Sequence, residues 1–282
     1  MRVREALASG TQAIQAHHVS QTPLLDASLL LSTITGLSRE QLYIKSEVLL
    51  SSEAVQQYNY LVSQRCEAQP VAYLLGKREF YGRTFIVSPQ VLIPRPDTET
   101  LVELTLEHIR KLTCPTVLDL CTGSGCIGIS VAAEALHAEV TLTDISREAL
   151  QIAQENAEHL LERPVHLVQS NLFSALIDQK YSIITSNPPY LTPDWYEETE
   201  KQVKAEPALA LLGGDSDGLA IIRDIIAQAP HHLYPEGVLL IECDYRQVEA
   251  VQTLFKEHGF SQVSCEYDLA QLQRVVWGVY NV

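Results

Sequence analysis

The sequence predicts an α/β fold: a mostly parallel sheet covered by helices on both faces, preceded by a small helical domain. Three observations predict it. After Pro115, short β-branched runs alternate with amphipathic helical stretches, the pattern of strand–helix–strand crossovers. Residues 1–75 space their apolar side chains at the helical period instead. Between the two lies an aromatic, alternating stretch that reads as extended chain. The boundaries implied are 1–72 for the helical domain, 73–98 for a β-hairpin linker and 99–282 for the α/β domain. A chain of 282 residues, 46% hydrophobic and 20% charged, is long enough for both cores.

In the helical region Val3, Leu7, Ile14 and Val19 mark a first helix. Thr22-Pro23 gives a cap and a proline at the first helical position, opening a second helix that runs to Gly36. Ser38–Ile44 reads as a short helix, and Ser51 or Ser52 caps another reaching about Ala68. In the linker, Glu79–Val87 is expected to pair with Val91–Ile93 across a turn at Ser88-Pro89-Gln90, and Asp97 or Thr98 to cap a helix over Glu99–Lys111.

The α/β region then offers strand 116–120, helix 127–136, strand 139–143, helix 147–161, strand 165–169 and strand 181–185. Helix 219–229, strand 238–242, helix 247–258 and an antiparallel pair at 261–267 and 274–280 follow. Tyr196–Ala210 reads as a flap beside the strand ends.

Three strand ends carry the chemistry. Asp119-Leu120-Cys121-Thr122-Gly123-Ser124-Gly125 is a glycine-rich turn between strand and helix, where the backbone can approach a ligand closely. Continued to Gly128 it reads G-x-G-x-x-G, and Asp144 closes the next strand about twenty residues on, where a carboxylate accepts from ribose hydroxyls. Both NAD and S-adenosylmethionine (SAM) satisfy that arrangement. Asp119 favours SAM, because a carboxylate there suits a ligand ammonium better than a pyrophosphate. At the third strand end, Asn171 is placed to accept from an adenine amine, with Leu172 and Phe173 to pack on the ring; a turn asparagine beside two core residues fits the sequence equally well. At the fourth, Asn187-Pro188-Pro189-Tyr190 combines an amide, two residues without N–H donors and an aromatic ring, a loop suited to gripping a planar group with N–H donors.

With these residues in view the chain resembles the HemK/PrmC family, methyltransferases acting on a glutamine of peptide chain release factors. The resemblance covers essentially the whole chain. It rests on Phe80-Tyr81-Gly82-Arg83, on Val91–Glu99 with its P-R-P-D-T-E string, on Leu118–Gly125, on Asn187–Tyr190, and on Glu206-Pro207 with Gly213–Leu219. The N-P-P-Y string alone is shared with adenine-amine methyltransferases; joined to the other segments it becomes specific. The resemblance implies a Rossmann-like class I SAM-dependent methyltransferase with a seven-stranded sheet. It also implies that Cys121–Gly125, Asp144, Leu172 and Asn187 contact SAM, and that Asn187–Tyr190 hold the substrate glutamine, presented in a Gly-Gly-Gln loop. Two positions depart from the pattern: Cys121 stands where glycine is usual, and Asn171 where aspartate is frequent.

Charge narrows the partners. Twenty basic against 35 acidic side chains give a net charge of −15; residues 1–75 hold 5 basic and 6 acidic groups, so the acidity lies in the α/β region. An acidic surface repels phosphate backbones and suits a basic protein partner. A DNA adenine methyltransferase is disfavoured on this ground, and no basic target-recognition segment is present. An NAD-dependent dehydrogenase leaves Asn187–Tyr190 unexplained. Glutamine methylation of a ribosomal protein is the nearest rival. The six cysteines form no C-x-x-C pair, so no metal is expected, and reduced thiols, the absence of a signal core and of a bilayer-length apolar run indicate a cytoplasmic protein, read as a monomer.

Overall fold

The computed structural model describes residues 1–281, and the chain divides into two compact units. The first comprises Met1–Lys77 with Thr199–Ala205; the second comprises Arg78–Glu198 and the chain from Glu206 onward.

The first unit is helical: α1 (Val3–Ala16), α2 (Pro23–Thr35), α3 (Arg39–Ile44), α4 (Ser52–Cys66) and α5 (Val71–Leu75). Helical spacing puts Val3, Leu7 and Ile14 of α1 against Ala27, Leu30 and Leu31 of α2, with Tyr58 and Val62 of α4 completing the core. Ser38 and Ser51 cap α3 and α4 through their hydroxyls, as their sequence positions predict. Arg65 is buried in this unit. Its Nε donates to Asp26 Oδ2 at 2.7 Å, and its Nη2 donates to the Val19 carbonyl at 2.6 Å and to Gln202 Oε1 at 3.1 Å. Gln202 belongs to the returning segment Thr199–Ala205, which this arginine therefore anchors.

The second unit starts with a hairpin, β1 (Lys77–Phe80) and β2 (Arg83–Ile86). Here the expectation is corrected. The chain reverses at Tyr81-Gly82, both with positive φ (48° and 70°), the backbone of a two-residue hairpin turn. Val91–Ile93 forms no strand; Val91 and Ile93 are buried all the same, and the Ile93 amide donates to Glu206 Oε2 at 3.0 Å.

Helix α6 (Glu99–Ile109) leads into the sheet: β3 (Thr116–Leu120), α7 (Cys126–Glu134), β4 (Glu139–Asp144), α8 (Arg147–Leu160), β5 (His166–Gln169), β6 (Tyr181–Ser186), α9 (Pro193–Glu198), α10 (Ala220–His232), β7 (Leu233–Glu242), α11 (Val248–Glu257), β8 (Phe260–Tyr267) and β9 (Gln273–Tyr280). The seven strands run in the order β5-β4-β3-β6-β7-β9-β8, all parallel except β9, which is antiparallel to both neighbours. Period-two alternation sorts each strand onto two cores. Val117, Ile183 and Leu240 face α6 and α7, where Phe80 and Phe85 of the hairpin also pack. Leu118, Ile184 and Ile241 face α10 and α11.

Candidate active site

Chain order reverses across β3, which pairs with β4 on one side and β6 on the other. That is a topological switch point, where a crevice opens beyond the carboxyl ends of the strands. The register decides which residues meet there. Leu120 pairs with Thr143 and with Ser186, and Ser186 pairs with Ile241. Cys121, Asp144, Asn187 and Glu242 therefore leave the sheet at one level. Asp144 pairs in turn with Gln169, which brings Ser170 and Asn171 alongside.

A cavity of about 340 Å³ lies over these ends, within the usual range for a small-molecule site. Cys121–Ser124 form one wall, Asp144–Ser146 and Asn171-Leu172 a second, Asn187 and Pro189 a third. Pro94, Arg95 and Thr98 from the segment after the hairpin, and Pro207, Leu209 and Ala210 from the expected flap, close it. The cavity surface is mainly apolar, and Thr122, Asp144 and Asn187 are fixed in its wall by hydrogen bonds.

The glycine turn is built for close approach. Cys121, Gly123 and Gly125 have φ of 58°, 55° and 82°, so the chain turns through left-handed conformations before α7 starts. The Gly123 amide donates to Asp144 Oδ2 at 2.9 Å, and the Ser146 amide to Asp144 Oδ1 at 2.9 Å. Each oxygen keeps a lone pair for a hydroxyl donor. Burial raises the Asp144 pKa against the pull of these backbone donors. Buried Asn156 of α8 donates to the Ser124 carbonyl at 2.9 Å and exchanges two hydrogen bonds with Ile86 of β2, pinning the turn to the hairpin.

Asp119 and Gly125 lie outside the cavity lining. Asp119 is completely buried under the turn, its Oδ2 accepting from Thr122 Oγ1 at 2.6 Å and from the Gly128 amide at 3.0 Å. Its Oδ1 has no partner. Burial pushes its pKa up to about 7, with the two hydrogen bonds opposing. Gly128 lets α7 press on the sheet: a Cβ there would lie 2.0 Å from Leu142 Cδ2. Asn171 and Leu172 reach the cavity, but Phe173 does not. Its ring stacks on His232 at 4.5 Å and belongs to the α10 core, because the left-handed φ of Leu172 (49°) turns the chain between them.

The Asn187–Tyr190 loop is held from behind. Asn187 Nδ2 donates to Thr98 Oγ1 at 3.1 Å, which leaves Oδ1 as the free acceptor end of the amide. Thr98 makes no capping bond to α6, so the capping expectation is replaced by this contact. Tyr190 lies off the cavity wall beside Pro188, its hydroxyl donating to Glu242 Oε1 at 3.4 Å. Its carbonyl accepts from Gln247 Nε2 at 2.9 Å, the same nitrogen that donates to the Asp217 carbonyl at 2.8 Å. The Gly213–Leu219 segment wraps this point: Leu191 exchanges backbone hydrogen bonds with Leu211 and Gly213, and a Cβ on Gly218 would meet the Tyr190 carbonyl at 2.2 Å. Glu206 accepts from the Ile93 amide and pairs with Arg95. Two sequence strings more than a hundred residues apart, P-R-P-D-T-E and E-P, are thus two sides of one clasp. Sequence reasoning does not single out Thr98, Glu206 or Glu242 for the site: Thr98 and Glu206 stand inside matched strings, whereas Glu242 is only the last residue of a strand.

Among the described residues no group of three or more His, Cys, Asp or Glu side chains is placed to hold a metal, and no helix is long and apolar enough to cross a membrane.

Fold and site define a Rossmann-like class I methyltransferase domain behind a small helical domain. A family model described as the methyltransferase small domain matches residues 96–205, and one described as the PrmC N-terminal domain matches residues 5–76. Release factor glutamine methyltransferase of Escherichia coli strain K12 is 38% identical over 269 residues, covering 95% of this chain and 96% of that protein. The Salmonella typhimurium protein of the same name is 40% identical over 270 residues (96% and 97%), and that of Coxiella burnetii 37% over 276 residues (98% of each). The chain belongs to the release factor glutamine methyltransferase family. Solved structures share the fold: a methyltransferase from Pyrococcus furiosus (18% identity, TM-score 0.53, covering 72% of this chain and 91% of that one) and the Thermus thermophilus 16S rRNA N2 G1207 methyltransferase (19%, 0.54, 73% and 50%).

Proposed function

We propose that this protein transfers a methyl group from SAM to the side-chain amide nitrogen of the glutamine in the Gly-Gly-Gln motif of peptide chain release factors. The observation that carries the reading is Asn187, an amide at the cavity wall whose nitrogen is committed to Thr98, leaving its oxygen to accept. Family membership supports it independently.

SAM fits the residues present. The left-handed turn Cys121–Gly125 admits a ligand against bare backbone, Asp144 keeps acceptor capacity for ribose hydroxyls, and Asn171 and Leu172 stand where an adenine would be gripped. Thr122, Gly123 and Ser124 complete that wall. Asp119 holds the turn rather than facing the ligand, and acts on binding through it. SAM supplies an electrophilic methyl on a sulfonium; the protein's own work is to aim the nucleophile.

A carboxamide nitrogen is a weak nucleophile because its lone pair is delocalised into the carbonyl. Asn187 Oδ1 and the Pro188 carbonyl accept the two amide hydrogens, which turns the nitrogen lone pair toward the methyl and stabilises the positive charge growing on nitrogen. Pro189 stiffens the loop, and Tyr190 supports it from behind the cavity wall through its hydroxyl on Glu242 rather than packing on the substrate amide. As the N–C bond forms and the S–C bond breaks, the nitrogen loses one proton to water, so no strong base is needed and attack geometry dominates the rate. The helical unit positions the release factor, and the acidity of residues 76–282 complements a basic surround of its loop.

Replacement of Asn187 with alanine tests this. The expected result is loss of about 10²–10³-fold or more in kcat, the range for removing one preorganised polar group at a reacting centre, with SAM affinity within a few-fold of wild type. Near wild-type turnover in that variant would refute the reading.

A further inference from the structure

A hydroxyl both donates and accepts, so Thr98 by itself does not decide which end of the Asn187 amide faces it. Something behind Thr98 must. Glu242, at the carboxyl end of β7, is that group. It is buried (2% exposed); the Tyr190 phenol donates to its Oε1 at 3.4 Å, and the Thr98 hydroxyl is near enough to favour its charged form. Its Oε2 has no hydrogen-bond partner. A buried carboxylate with an oxygen left over has no evident value for stability, since burial without full pairing is costly. Its placement is explained by the loop it supports.

We propose that Glu242 is the positioning residue for the methyl-accepting loop: the ionised carboxylate can only accept, so it fixes Thr98 as a donor toward itself, Thr98 then accepts from Asn187 Nδ2, and Asn187 Oδ1 is turned to the substrate amide. The proposal rests on Asn187 being the amide-binding residue. When Glu242 is protonated it can donate to Thr98, Thr98 can donate to Asn187 Oδ1, and the Asn187 amide is free to turn its nitrogen outward, presenting a donor where the substrate also has donors. Protonation of one remote carboxyl thus reverses the polarity of the site.

The groups that face Glu242 set where this happens. Arg274 of β9, itself paired with Asp268 at 3.0 Å and near Asp97 at 3.7 Å, favours the ionised form. Asp97 disfavours it, and Cys126, Cys243 and the Tyr190 phenol are neutral neighbours whose own ionisation burial suppresses. Burial is the largest influence and lifts Glu242 to about 7, inside the working range of an enzyme.

The test is the pH dependence of kcat at saturating SAM on an intact release factor, from pH 6 to 8.5, for wild type, Glu242→Gln and Thr98→Val. SAM affinity is measured in parallel by calorimetry, since Asp119 and Asp144 also carry raised pKa values. Wild type should lose about tenfold in kcat between pH 8 and pH 6, the change in ionised fraction for a group near pH 7. In both variants kcat at pH 8 should fall at least tenfold, that acid limb should vanish, and SAM affinity should stay within threefold. Thr98→Val keeps the carboxylate and its neighbours, so it reports even if Glu242→Gln folds poorly. An acid limb unchanged in Thr98→Val, or absent from wild type, overturns the inference while leaving the proposed activity intact. No methyl transfer by wild type at any pH overturns both.

Discussion

Replacing Asp119 with asparagine separates a structural carboxylate from a ligand-binding one. Asp119 is fully buried, and both of its hydrogen bonds fall on one oxygen, Oδ2. An asparagine placing its oxygen there keeps the Thr122 and Gly128 bonds and swaps the unpartnered Oδ1 for an amide nitrogen. What changes is titration. The folded pKa of about 7 lies above the ordinary value of 3.8. A raised folded pKa means that the folded protein holds a proton the unfolded chain has released. The associated stability is therefore present below about pH 4 and lost as pH rises through 7. A shift of about 3 units corresponds to at most ~4 kcal/mol across that window. Urea unfolding of wild type and Asp119→Asn at pH 5, 6, 7 and 8 should show the variant gaining on wild type as pH rises, by up to ~3 kcal/mol over that range, the remainder being lost between pH 4 and 5. The difference between the two chains isolates this group from Glu242 and the other carboxylates. Parallel pH curves would refute the argument that Asp119 serves the turn. So would a hundredfold loss of SAM affinity without any change in stability, which would return the residue to the ligand.

Two further predictions test the scaffold. Asp26→Ala strands Arg65 in the helical unit without its carboxylate, and breaking a buried pair in this way should cost about 3–5 kcal/mol; an exposed-pair value below ~1 kcal/mol would show that water reaches it. Cys121→Gly relieves a side chain held at φ 58° and should stabilise by about 1 kcal/mol or more while tightening SAM binding slightly, read by thermal melting with and without SAM. A lower melting temperature would mean that Cys121 packing against the turn outweighs its backbone strain.

Much of this molecule was legible in its residues, for identifiable reasons. The alternation after Pro115 gave the parallel strands and their order of chemistry, because crossovers force ligand-binding turns to one edge of a sheet. Cys121, Asp144, Asn171 and Asn187 meet at one cavity, as strand-end positions should. The failures lie where a local rule has more than one solution. Glu79–Val87 alternates like one strand, yet Tyr81-Gly82 can adopt the left-handed turn that folds it on itself. Thr98 precedes a helix and has the chemistry of a cap, but a hydroxyl serves whichever partner the tertiary fold brings closer, here Asn187. Phe173 follows two cavity residues, and a single positive φ at Leu172 sends it to the core. Glu242 was only the last residue of a strand until the β6–β7 register set it level with the Asn187 loop.

The central claim is that Asn187–Tyr190 present a protein glutamine amide to SAM. Its most direct test is mass spectrometry of full-length release factors and of ribosomal proteins after incubation with SAM and this protein. The account predicts one added methyl group, 14 mass units, on the glutamine of the release factor's Gly-Gly-Gln peptide, absent with Asn187→Ala and absent from the ribosomal proteins. An unmodified release factor beside a methylated ribosomal protein, or a methyl group elsewhere on the release factor, would contradict it.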